Sequence, residues 1–159
     1  MARRSRRWAR PTCRTARWWA SSCRARAAPR HGPAGRGSAR ARAAAAAGQR
    51  AALAVFREHN EPQGLAETLN DLGETLSGSA ESEHARECHN EALAVARRIG
   101  DPLQEARALE GIGCCSLRDG DPGAGLSQVR QALAIYRRIG VPEARRAEAV
   151  LSQARADTG

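Results

Sequence analysis

The sequence predicts an all-helical protein of stacked antiparallel helix hairpins, preceded by an arginine-rich tail. Three observations carry that expectation. The phrase "ALAVARRIGDP" at 92–102 returns as "ALAIYRRIGVP" at 132–142, and a looser copy, "ALAVFREHNEP", occupies 52–62, each start 40 residues after the last. Apolar residues between the copies recur every three or four positions, the period of one helix face. Beyond residue 50 the aromatics are Phe56 and Tyr136, so packing falls to Leu, Ile, Val and Ala, a composition suited to helices.

The charge divides the chain in two. Residues 1–50 hold 14 Arg and no acidic residue, giving +14, whereas residues 51–159 hold 12 Arg against 17 Asp plus Glu, giving −5. The first 50 residues also lack Leu, Ile, Val and Phe. Alanine with Trp8, Trp18 and Trp19 supplies too little apolar area to offset chain entropy. Residues 1–40 are therefore expected to be a disordered leader rich in Arg, Ala, Gly and Pro. Every basic residue in the chain is Arg. A GC-rich genome writes such a bias whatever the protein needs, which suggests a foreign or wrong-frame extension joined to a cut array.

The repeats then follow in order over 41–155. Asn60, Gly100 and Gly140 share one repeat position, and Pro62, Pro102 and Pro142 fall two later. Gly and Asn tolerate the left-handed conformation that closes a helix, while Pro suits the first turn of the next. Helices are expected over 42–59, 63–77, 82–99, 103–118, 122–139 and 142–155. The first belongs to a half repeat, 41–61, whose missing partner leaves a face open to self-association. In repeat 62–101, Leu65, Leu69, Leu72 and Leu76 form one face. The break at 77–82 leads to a second helix with small residues at Ala85 and Ala92.

Repeat 102–141 has Leu103, Ala106, Leu109 and Ile112 in the matching places. Asp101 is expected to cap its first helix, with Gln104 reaching back in a capping box. A second break at 118–125 carries Asp121 as a cap before Pro122, and Gly125 and Ala132 follow. Gly73 and Gly113 stand 40 apart inside helices. Glycine there costs about 1 kcal/mol against Ala, so each is expected to admit a neighbouring helix closely. The 142–155 segment is more polar, as a capping helix should be. One hairpin cannot cover its own apolar face, and stacked copies can.

Over about 41–155 this pattern resembles the tetratricopeptide repeat family. The first-helix positions match at Leu69, Leu72-Gly73 and Leu76, and again at Leu109, Ile112-Gly113 and Ser116. The second-helix small positions match at Ala85, Ala92, Gly125 and Ala132, with Pro62, Pro102 and Pro142 after the turns. The period of 40 exceeds the commoner value of about 34. His89 takes a usually apolar place, and Ser116 takes an aromatic one. The phrase is most similar to the repeat tails of large bacterial transcription regulators with an NB-ARC-type switch domain, although the chain holds no G-x-x-x-x-G-K-[ST] motif.

That resemblance implies a right-handed superhelix whose first helices line a concave groove for a protein or peptide. It assigns Glu67, Asn70 and Glu74 to the groove from one unit, and Arg107, Glu110, Cys114 and Arg118 from the next. Their mixed signs imply a polar, charge-patterned partner. The alternative is a nucleic-acid-binding protein whose Arg-rich arm grips phosphates non-specifically. The doublets Arg97–Arg98 and Arg137–Arg138 complement helix dipoles, a structural role.

No enzyme, cofactor or metal site is expected. No nucleophile, acid and base share a recognisable spacing. His84 and Cys88 lie one helical turn apart, but no second pair is spaced to complete a metal centre. Free thiols suit a reducing cytoplasm. No apolar run of about 20 residues is present to span a membrane.

Overall fold

A computed structural model describes residues 36–77 and 81–156. Among the described residues there are six helices and no strand: α1 (Arg36–Glu58), α2 (Pro62–Ser77), α3 (Ser82–Ile99), α4 (Pro102–Arg118), α5 (Pro122–Ile139) and α6 (Glu143–Ala156). The chain is thus the all-α helical repeat solenoid that its periodicity predicts. Successive helices pack on one another, and α2 also packs directly on α4.

Five of the six helices begin and end within a residue of the expected positions. The exception is α1, which starts at Arg36, inside the segment assigned to the leader. Its first residues, "RGSARARAAAAAG", are mostly Ala and Arg, two of the best helix formers, and contain no Pro. Residues 1–35, which carry the rest of the expected leader, lie outside the described residues, as do 78–80 in the expected break at 77–82.

The turns follow from their residue types. Gly100 and Gly140 adopt φ 69° and 71°, and Asn60 takes φ 53°. Beyond each, the next residue's N–H reaches back to the helix: Glu61 to the Phe56 carbonyl, Asp101 to Ala96 and Val141 to Tyr136, at 3.0, 3.0 and 3.2 Å. These are Schellman closures, and they end α1, α3 and α5 alike. At the next start, the Asp101 carboxylate accepts from the backbone N–H groups of Leu103 and Gln104, both at 3.0 Å. The expected capping box is only half formed, because the Gln104 side chain turns away to meet α2. Asp121 caps α5 by accepting from the Ala124 N–H at 2.9 Å.

Two apolar clusters make the core. One gathers Ala46, Leu53, Leu69, Leu72, Leu76, Ala85, Ala92, Ala108 and Cys115 from α1 to α4. The other gathers Ala106, Leu109, Cys114, Val129, Ala132, Leu133, Tyr136, Ala147, Val150 and Leu151 from α4 to α6. Helix α4 feeds both. The glycines inside the helices set how closely these layers meet. A Cβ at Gly113 would stand 2.8 Å from Val129 Cγ2 and 2.9 Å from the Gly125 carbonyl oxygen. A Cβ at Gly73 would strike the His89 ring at 2.6 Å.

Because the Gly125 carbonyl is backbone, Gly113→Ala requires α5 to shift. The expected loss is about 1–3 kcal/mol, seen as a lower urea midpoint with an unchanged slope.

Candidate functional site

The contact of α2 with α4 sets the first helices of the two full hairpins side by side. The seven groove residues proposed from the sequence divide by burial on this pair. Glu67 is exposed. Glu74, Arg107 and Arg118 are half-buried, and Asn70, Glu110 and Cys114 are buried.

The buried pair Asn70 and Glu110 stand 40 residues apart and do equivalent work. Asn70 donates from Nδ2 to the Gln104 carbonyl at 3.1 Å and to Gln104 Oε1 at 3.0 Å, and its Oδ1 lies 3.2 Å from His89 Nδ1. Glu110 accepts from Tyr136 Oη at 2.8 Å and from Arg146 Nε at 2.7 Å, and Arg146 Nη2 also reaches it. Each residue therefore ties its own hairpin's second helix, α3 or α5, to the next first helix, α4 or α6. A buried polar group must find such partners or cost free energy.

Between these two clasps lies Arg107. It donates to Asp71 Oδ1 at 2.6 Å and Glu74 Oε1 at 3.0 Å, joining α4 to α2. Burial works against its charge, yet Glu74 and Asp71 hold the guanidinium above its ordinary range. Arg118 donates to the Ser77 carbonyl and, at 3.1 Å, to Cys115 Sγ. Burial pushes the Cys115 thiol pKa up despite that neighbour, which leaves it protonated and unreactive. Cys114 points into the other apolar cluster. The floor of this face is thus largely engaged within the chain, and its edge carries two carboxylates: the exposed Glu67, and the half-buried Asp71 that pairs with Arg107.

Sequence reasoning missed Asp71, Arg146 and Tyr136. Asp71 was within reach of the helical period, since it lies three residues before Glu74 on the same turn of α2. Tyr136 replaces the Ala96 of the previous repeat, a size change that marks where Glu110 needs a longer donor than Asn70. Arg146 gives no such signal, because the last helix leaves the repeat register. Ser116, in the usually aromatic place, is buried and donates to Gln128 Oε1 at 3.3 Å. His84 is exposed, Cys88 is half-buried, and no cluster of metal-ligating side chains forms among the described residues.

His89 is the titratable group most altered by this packing. Its ring sits between the backbones of Gly73 and Gly111, whose added Cβ atoms would meet it at 2.6 and 2.4 Å. Both Asn70 amide hydrogens go to Gln104, so Asn70 Oδ1 accepts from His89 Nδ1–H, and Nε2 is a bare acceptor without a partner. Protonating Nε2 would bury a cation near Arg107 and Arg118. Burial first, then those two charges, lowers the His89 pKa from 6.5 to about 3.

The unfolded chain thus binds this proton more readily than the folded one. The stability contribution is complete above pH 6.5 and is lost as pH falls toward 3. By pH 5 the expected loss is about 2 kcal/mol. It is measured by urea unfolding at pH 8 and pH 5, and His89→Leu should remove that part of the slope.

Among the described residues no helix is long and apolar enough to cross a membrane. No curated protein matches the chain. Residues 65–138, from α2 through α5, match the model of the tetratricopeptide repeat family. Repeats of this family generally bind other proteins or peptides, and their fold is typically a non-catalytic scaffold. The shared turns, the glycine contacts and this match agree on stacked helical repeats over residues 65–138 that are similar to tetratricopeptide repeats.

Proposed function

We propose that the chain holds a segment of another protein along the face formed by α2, α4 and α6. The observation that carries this reading is the direct packing of α2 on α4, edged by the exposed carboxylate of Glu67 and the half-buried one of Asp71. Glu67 and Asp71 place acidic groups along this edge of α2, and Arg107 pairs with Asp71 and Glu74. A polar partner segment with Arg or Lys opposite α2 suits it. Of the seven proposed groove residues, Glu67 is the one that meets the partner, Glu74, Arg107 and Arg118 flank it, and Asn70, Glu110 and Cys114 shape the floor.

The 40-residue unit with its Arg-Arg-Ile-Gly-x-Pro seam supports a finer step, a regulatory array of a bacterial signalling protein. In that setting the docked partner controls a switch. Free thiols at Cys88, Cys114 and Cys115 suit a cytoplasmic setting. The nucleic-acid alternative rests on the leader, of which residues 1–35 lie outside the described residues.

Peptide-display selection against the full chain tests the groove. Selected peptides should carry basic residues. Glu67→Arg should weaken their binding about tenfold or more at an unchanged urea midpoint, whereas Glu87→Arg on α3 should not. Equal binding to wild type and Glu67→Arg would remove the proposal.

A further inference from the structure

We infer that a second copy of this chain docks antiparallel along the outer face of α1. The face consists of Arg40, Ala44, the adjacent Ala47 and Gly48, Ala51, Val55 and Glu58, which recur at helical spacing and are all exposed. Val55 is the large hydrophobic residue left exposed among the described residues, at 51%.

Three independent features point outward from this helix. The first is the contrast with its repeat counterparts. Ala47 corresponds to Glu87 and Ser127, and Ala51 to Glu91 and Gln131, all four of them exposed. Where α3 and α5 meet solvent with polar side chains, α1 presents methyl groups. Val55 corresponds to Val95, which is buried.

The second feature is Gly48. Gly64, Gly73, Gly111, Gly113 and Gly125 each have a neighbouring atom between 2.4 and 2.8 Å from where a Cβ would stand. Gly48, in the middle of α1, has nothing within 4 Å. A glycine there costs about 1 kcal/mol of helix stability, and nothing described in its own chain requires it. Close approach of another helix does.

The third feature is charge, and it selects the occupant. The stripe has Arg40 near its N-terminal end and Glu58 at its C-terminal end. A carboxylate is disfavoured at the negative end of a helix dipole. Among the described residues neither Glu58 nor Arg40 forms an ion pair. In an antiparallel pair centred between Gly48 and Ala51, Glu58 falls beside the partner's Arg40, and the two-fold axis makes that contact twice. Ala44 then faces the partner's Val55, and Gly48 faces the partner's Ala51. A parallel pair would set like charges together. The upstream segment 1–35, with its ten Arg and no acid, would bring a cation to Glu58 but no acid to Arg40.

A single helix pair is a small interface, so the dimer should dissociate in the micromolar range. Sedimentation velocity of the full chain across that range should show a concentration-dependent dimer. Ala51→Glu, which installs the residue type of Glu91, should raise the dissociation constant about tenfold or more with unchanged helicity. Glu58→Arg and Arg40→Glu should each weaken the dimer, and the double variant should restore it. A chain that stays monomeric, a dimer indifferent to Ala51→Glu, or a double variant no better than the singles would each overturn the proposal. A monomer would leave residues 1–35 as the remaining occupant.

Discussion

Two short helices joined by a tight turn leave one flank of the first helix uncovered, and α4 shows how the stack meets that deficit. Ala106, Leu109 and Cys114 face α5 and α6, while Ala108 and Cys115 face α2 and α3. Among the described residues α4 alone places buried side chains in both clusters, and Leu93 of α3 packs half-buried against each. Covering α4 from both sides holds the two hairpins together, and each closure around it serves that end. The left-handed turns at Gly100 and Gly140 return the chain sharply enough for antiparallel packing, and Gly113 lets α5 lie against the backbone of α4.

Apolar packing alone would tolerate sliding between repeats, and the buried polar clasps resist it. Asn70 is matched to His89 and Gln104, and Glu110 to Tyr136 and Arg146. The partners are not exchangeable. A carboxylate facing Gln104 would lack its guanidinium, and an amide facing Arg146 would leave a charge unpaired. Half-satisfied buried networks cost more than apolar cores, so the clasps fix which hairpin follows which. Asn70 and Glu110 lie on α2 and α4, the helices of the proposed groove, which is how a structural clasp and a proposed groove come to share positions.

The backbone was largely legible in the sequence, and the side-chain environment was less so. Helix ends were readable because Gly, Asn, Asp and Pro act through local conformation, which needs no knowledge of distant contacts. Gly73 and Gly113 were readable as contact points because the repeat placed them at one position. The start of α1 was misjudged because low hydrophobicity was given more weight than the helix propensity of alternating Ala and Arg. Gln104 was assigned to a local cap, but its burial against α2 decides its partner. Asn70, Glu110 and Cys114 looked like groove positions by family spacing. Their burial depends on His89, Tyr136 and Arg146, which lie on other helices and cannot be placed by period alone.

Adjacent residues on α4 look into different compartments. Cys115 is fully enclosed on the α1–α3 side, and Cys114 is nearly so on the α5–α6 side. A thiol reagent reaches the first only when the N-terminal half breathes, and the second only when the C-terminal half does. One peptide bond thus separates two clocks, which would record the opening of the two halves separately within a single proteolytic fragment.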